Sequence, residues 1–134
     1  MSGAKASRPG PELSGQAVLV LGGSAGIGLA TARHARAQGA DVILVARNAE
    51  RLRQAAEGVG SRQSAAFDVG DRDALQEFFA SLPGPVTHVM VNAGWPFYGP
   101  VLDLTYEEAR TAISYHALQA VEVARNARDK MPPG

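Results

Sequence analysis

The sequence predicts a parallel α/β sheet with helices on both faces. Three observations carry this. Short apolar runs alternate with longer stretches of helical periodicity along the 134 residues, the pattern of successive strand–helix–strand crossovers. The second run, Asp41–Ala46, has an unbroken apolar centre, as a strand buried on both faces requires. The first run leads straight into the glycine-rich stretch Gly22–Gly28, a tight turn feeding a helix of small residues.

The elements follow in order. The first strand is read at Gln16–Leu21 and the first helix at Ala25–Gln38, with Gly39 just past its end as a stop. The second strand is Asp41–Ala46. Asn48 has the side chain to cap a second helix over Ala49–Glu57, which Gly58 would close. Gln63–Phe67 is a weaker third strand. Asp71 is placed to cap a third helix in which Leu75, Phe78, Phe79 and Leu82 share a face, and Pro83-Gly84-Pro85 ends it. The fourth strand is Thr87–Val91. Thr105 and Glu108 have the spacing of a capping box at the head of a long fourth helix. Its stripe of Ala109, Ile113, Ala117, Val121, Ala124 and Met131 is expected to face the core, and Pro132-Pro133-Gly134 ends it. Residues 1–14, rich in Ser, Gly, Pro and Ala, read as a flexible leader. The remaining residues, 15–134, read as one domain without an internal repeat.

Composition narrows the function. Lys and Arg number 13, as do Asp and Glu, so the formal net charge is zero. A neutral chain offers no electrostatic reason to expect nucleic acid or an anionic membrane. Cysteine is absent, which excludes disulfides, thiolate metal sites and cysteine nucleophiles. No His-x-x-x-His pair exists, and no metal site is expected. No apolar stretch approaches the roughly 20 residues of a membrane span. A cytoplasmic protein is the expectation.

Gly22, Gly26 and Gly28 give the spacing G-x-x-x-G-x-G. Such a turn allows helix and strand to pack closely, and that alone would explain it. It also points backbone N–H groups and a helix N-terminus at one spot, which suits a pyrophosphate. Placement after a strand and before a helix favours nucleotide binding. Gly22 would then make the turn, Gly26 admit the ligand closely and Gly28 bring helix onto strand.

Three more segments join the glycine turn. Val45-Ala46-Arg47-Asn48 ends the second strand, Asp68-Val69 follows the third, and Asn92-Ala93-Gly94 follows the fourth. Together, in this order, they resemble the short-chain dehydrogenase/reductase family from about Leu13 to the last residue. The resemblance implies the N-terminal half of a Rossmann-type doubly wound sheet, in strand order 3-2-1-4. It implies a dinucleotide held by Gly22, Ser24, Ala25, Gly26, Ile27 and Gly28, by Arg47 and Asn48, by Asp68 and Val69 at the adenine, and by Asn92, Ala93 and Gly94 along the cleft. Leu21 stands where the family usually has Thr. NAD-preferring relatives carry an acidic residue at the position of Ala46 for the ribose 2′-OH. Arg47 instead can pair bidentately with a 2′-phosphate, so NADP(H) is expected over NAD(H). A solvated surface arginine is the plainer alternative.

The family's catalytic Ser and Tyr-x-x-x-Lys are not found in these residues. None of Tyr98, Tyr106 and Tyr115 is followed four positions on by Lys. The family's helix-four Asn, counted back from Met131, falls on His116, whose imidazole can hold a water as Asn does but titrates near neutral pH. Simple packing on the helix is the alternative. His34 is read as a partly buried packing residue and His88 as a strand residue. The loop Trp95–Pro100 follows the fourth strand near the expected switch point; its aromatics line a pocket or pack on the fourth helix.

Three functions remain open. The first is the cofactor-binding half of an oxidoreductase moving hydride between NADP(H) and an unidentified carbonyl or alcohol, the sequence being truncated. Residues 1–134 would then bind cofactor weakly or not at all, without turnover. The second is a non-catalytic NADP-binding or sensing module. The third is a methyltransferase, disfavoured because Ala46-Arg47 offers no carboxylate for the ribose of S-adenosylmethionine. With the fourth strand at the sheet's edge, self-association or a missing C-terminal half is expected to cover it. Size-exclusion chromatography over a range of concentrations tests the former, and a constant monomer speaks against it.

Overall fold

The computed structural model describes residues 12–94 and 97–133. Four strands form one parallel sheet in the order β3-β2-β1-β4: β1 (Ala17–Leu21), β2 (Asp41–Ala46), β3 (Gln63–Ala66) and β4 (His88–Val91). The order is the predicted one. Register places Leu19 beside Ile43 and Val89, so the centre of β1 is paired on both sides.

Side chains alternate across the sheet with the two-residue period of a strand. Leu19, Leu21, Ile43 and Val45 point to one face, where Leu75, Phe78 and Phe79 of α3 (Arg72–Ser81) and Val123 and Ala127 of α5 (Gln119–Ala127) cover them. Val18, Val20, Val42 and Leu44 point to the other. There α1 (Gly26–Ala37) and α2 (Ala49–Val59) contribute Ala32, Ala35, Leu52, Ala55 and Val59. Leu13, within the stretch expected as a leader, packs against this second cluster and donates its N–H to the Gln38 carbonyl at 2.9 Å.

The predicted caps form. The Asn48 side chain accepts from the Arg51 N–H and Asp71 from the N–H groups of Asp73 and Ala74. Thr105 and Glu108 make the full capping box at the head of α4 (Tyr106–Ile113). The backbone and hydroxyl of Thr105 both bond the Glu108 carboxylate and hold its pKa below the usual range.

Three expectations are corrected. Helix α2 does not stop at Gly58; it runs on to bury Val59 and closes at Gly60, in the left-handed region at φ 68°. His34 is exposed, because the inward face of α1 is Gly28, Ala32 and Ala35. The long fourth helix is not continuous α. A π-turn, Ser114–Leu118, separates α4 from α5. It shifts the phase of the helix, so the buried face is Gln119, Val123 and Ala127, while Ile113, Val121 and Met131 of the expected stripe are exposed. A period of 3.6 carried through the turn predicts the wrong face.

The N-terminal end of β4 is tied in by His88, whose ring nitrogen meets the Gln16 amide oxygen at 2.5 Å. Among the described residues, no strand pairs with the far side of β4, which ends the sheet. Among the described residues, no helix is long and apolar enough to cross a membrane, and no cluster of His, Asp and Glu is arranged to hold a metal ion.

Candidate functional site

The C-terminal ends of the strands converge on one cleft. Gly22 donates to the Val45 carbonyl at 2.8 Å as the chain leaves β1, and Gly23 shares that carbonyl at 3.1 Å. The Asn92 N–H bonds the Leu21 carbonyl at 2.8 Å, bringing the exit of β4 alongside. A Cβ on Gly22 would lie 2.6 Å from the Asn92 carbonyl oxygen, so only glycine lets these two segments pass. This crossing lies between β1 and β4, the point where a doubly wound sheet opens for ligands.

Around the cleft stand Gly22 and Ser24 from the glycine turn, Arg47 and Asn48 from the end of β2, Asp68 and Val69 after β3, and Asn92, Ala93 and Gly94 after β4. These nine sequence-predicted residues are therefore brought together. Ala25, Gly26, Ile27 and Gly28 form the start of α1 just beyond Ser24 rather than the lining itself. Ile27 is exposed, a Cβ on Gly26 would meet no heavy atom within 4 Å, and Gly28 is buried against the Gly22 carbonyl. His116 does not line the cleft. It sits on the π-turn with its imidazole against Gly94, where a Cβ would be 3.1 Å from its Cε1. In the aromatic loop, Trp95 and Pro96 lie outside the described residues, and Tyr98 is exposed.

Helix α1 differs from its neighbours at its N-terminus. Helices α2, α3 and α4 each receive a side-chain cap, whereas Ala25 gives α1 none and its first turn carries no acidic residue. Its first N–H groups and its positive dipole end thus open beside Ser24 without a protein acceptor from a cap. The cationic residues Arg47 and Arg51, on either side of the Asn48 cap of α2, line the same cleft as Ser24. The cleft thus has positively charged groups suited to an anion. The Asp68 carboxylate accepts from the Gly70 N–H at 2.9 Å, which fixes the turn after β3.

Ala46, placed by the sequence at the ribose position, lines the cleft too, and sequence reasoning missed Arg51, Phe67, Tyr115 and Gln119, which also line it. Arg51 was within reach, because an Asn48 cap places the third residue of α2 in the first turn. Phe67 flanks a predicted residue. Tyr115 and Gln119 depend on the π-turn, which no residue pattern announced. Gln119 is the buried polar residue of the core, 5% exposed. With its amide turned so that the NH2 faces the neighbouring carbonyls, it donates to Ala93 at 2.5 Å and to Tyr115 at 3.1 Å. It thereby ties the exit of β4 to the π-turn.

The sheet order, the glycine crossing and the cleft at the strand ends together define a Rossmann-type α/β protein. The chain belongs to the short chain dehydrogenase family, whose model matches residues 16–133. It is 40% identical over 89 residues to gluconate 5-dehydrogenase of Gluconobacter oxydans (strain 621H), covering 61% of this chain and 35% of that protein. It is 35% identical over 108 residues to an NADP-dependent (R)-specific alcohol dehydrogenase of Lentilactobacillus kefiri, covering 76% and 43%. Among solved structures it superposes on L-sorbose reductase of Gluconobacter frateurii, complexed with NADPH and L-sorbose, with a TM-score of 0.80 and 29% identity, over 89% of this chain and 48% of that one. The chain spans half or less of the length of these three relatives.

Proposed function

We propose that this chain is the cofactor-binding part of a short-chain oxidoreductase that moves hydride between NADP(H) and a carbonyl or alcohol. The observation that carries it is that the uncapped N-terminus of α1 follows directly on Ser24, which lines the same cleft as Arg47 and Arg51. The names of the relatives support it: one is NADP-dependent, and one was solved with NADPH.

In this reading the bound nicotinamide supplies the hydride chemistry, and the chain supplies position. The turn Gly22–Gly28 gives the pyrophosphate N–H donors and the dipole of α1, with Ser24 and Ala25 at the bend and Ile27 shielding its outer side. Arg47 binds the 2′-phosphate, with Asn48 ordering the start of α2 and Arg51 as a second cation. Asp68 and Val69 receive the adenine. Asn92, Ala93 and Gly94 flank the cofactor toward its nicotinamide end, with His116 packed against Gly94 outside the cleft lining. The β4 edge is covered by a second copy of the chain or by further polypeptide.

Calorimetric titration tests the reading. Residues 1–134 are expected to bind NADPH saturably but weakly, to bind NADH more weakly still, and to reduce no carbonyl alone. Absence of saturable binding by either dinucleotide overturns the function, and tighter binding of NADH overturns the preference.

A further inference from the structure

Helices α1 and α2 end in the same way. Gly39 at φ 89° and Gly60 at φ 68° turn left-handed as each helix closes. The N–H that follows reaches back five residues, from Ala40 to the Ala35 carbonyl at 3.1 Å and from Ser61 to the Ala56 carbonyl at 3.0 Å. Helix α3 has no such ending. Pro83-Gly84-Pro85 follows it. Proline brings no N–H, and Leu82 before it is extended, at φ −63° and ψ 124°. The last turn of α3 holds no basic residue. Its final carbonyls therefore need donors from elsewhere.

Two donors are local. The Ser81 hydroxyl donates to the Phe78 carbonyl at 2.8 Å, and the Leu82 N–H to the Phe79 carbonyl at 3.3 Å. The next two bonds come from one side chain 48 residues on. Lys130 Nζ donates to the Leu82 carbonyl at 3.0 Å and to the Ala80 carbonyl at 3.4 Å. An ammonium suits this place, because it brings three donors and a positive charge to the negative end of a helix. The Lys130 carbonyl in turn accepts from the Val86 N–H at 2.9 Å. One residue thus holds both ends of the segment 82–86.

Lys130 is half-buried and closes the 3₁₀ turn Arg128–Lys130 that follows α5. Beneath it, Leu82 and Val86 share a core cluster with Val123 and Ala127 of α5. One residue further, the Thr87 N–H bonds the Ala17 carbonyl at 2.9 Å and the chain enters the sheet as β4. Three elements distant in sequence therefore meet at one amine.

We infer that Lys130 is a latch. Its ammonium caps α3 from across the fold, so that the last turn of α3, the lead-in to β4 and the end of α5 open and close together. A side chain without charge or donors at position 130 releases all three. The latch stands at the N-terminal end of β4, opposite the cleft, and governs opening of the fold there.

Native-state hydrogen exchange on residues 1–134 tests this. The reporting amides are Leu82, Val86 and Met131, the last bonded to the Ala127 carbonyl at 3.0 Å. In the wild type, small additions of denaturant are expected to bring the three onto one common opening. Lys130→Met is expected to speed all three by about tenfold or more, and Lys130→Arg by no more than about threefold. Arg128→Gln loses the same charge from an exposed side chain paired with Asp129 at 3.3 Å, and is expected to change none of them. The Arg51 amide, held by the Asn48 cap at the opposite end of the sheet, is expected to keep its rate throughout. Unchanged exchange in Lys130→Met, acceleration confined to Leu82, or an equal acceleration in Arg128→Gln overturns the latch. Should Lys130→Met fail to fold, the wild type alone decides: three amides that open separately overturn it.

Discussion

Replacing Arg47 by Glu is expected to cost NADPH binding about 100-fold while leaving NADH binding within a few-fold. The reason lies in what each cofactor presents to the end of β2. A 2′-phosphate offers oxygens in the geometry a guanidinium matches with two hydrogen bonds, each worth about 1.5–3 kcal/mol when a charged group is involved. A glutamate removes those bonds and adds like-charge repulsion. Toward NADH the same substitution is no large loss, because NADH has no 2′-phosphate for Arg47 to pair with and its ribose 2′-OH is uncharged. Arg51, in the first turn of α2 and lining the same cleft, should matter less, so Arg51→Ala is expected to weaken NADPH by only a few-fold. Arg53 provides the control. It lies on the same helix but is engaged by Glu50 at 2.8 Å and Glu57 at 2.7 Å, outside the cleft. Arg47→Gln and Arg53→Gln change the net charge equally, so a general electrostatic effect would weaken NADPH equally in both. Titrations with the two dinucleotides decide, and parallel losses for NADPH and NADH in Arg47→Glu would sink the assignment of Arg47 to the 2′-phosphate.

Strand positions were legible because β1, β2 and β4 are short apolar runs between helical stretches, whereas the strand order came from the family resemblance that the four motifs carry. The caps were legible for a local reason, since Asn48, Asp71 and Thr105 act on N–H groups two or three residues away. The end of α2 was misread because two glycines compete there. Gly58 falls inside the helix, and burial of Val59 outweighs the modest helix penalty of a glycine. The fourth helix was misread for a different reason. Its phase is reset by the π-turn, and the buried face begins with a glutamine, which no apolar pattern selects. Gln119 is inside because its amide serves the carbonyls of Ala93 and Tyr115, a requirement set by the backbone of another element rather than by its own neighbours in sequence. The site divides along the same line. Residues on the strand exits were readable from the four motifs, whereas Tyr115 and Gln119 reach the cleft only through tertiary geometry.

The glycine turn supplies the second large effect, and two of its residues separate folding from binding. Gly28→Ala is expected to destabilise the chain by about 3 kcal/mol or more, lowering Tm by roughly 10 °C. The added Cβ would stand 2.0 Å from the Gly22 carbonyl oxygen and 2.9 Å from its carbon. Both are backbone atoms, so no flexible side-chain end can give way. The helix must move off the turn, and the crossing with Asn92 moves with it. Gly26→Ala meets no such obstacle, since nothing lies within 4 Å of the new Cβ. Its cost is that of a left-handed residue at φ 53°, about 1–2 kcal/mol. If the open space at Gly26 is where the pyrophosphate comes closest, Gly26→Ala should lose NADPH binding at least tenfold while remaining folded. Gly28→Ala should lose binding and fold together. Thermal unfolding followed by circular dichroism, read beside NADPH titration of the same samples, distinguishes the two. A stable Gly26→Ala chain that binds NADPH like wild type would mean that the ligand does not pass over this turn. A Gly28→Ala chain as stable as wild type would mean that close contact between α1 and the Gly22 carbonyl is not what holds the turn in shape.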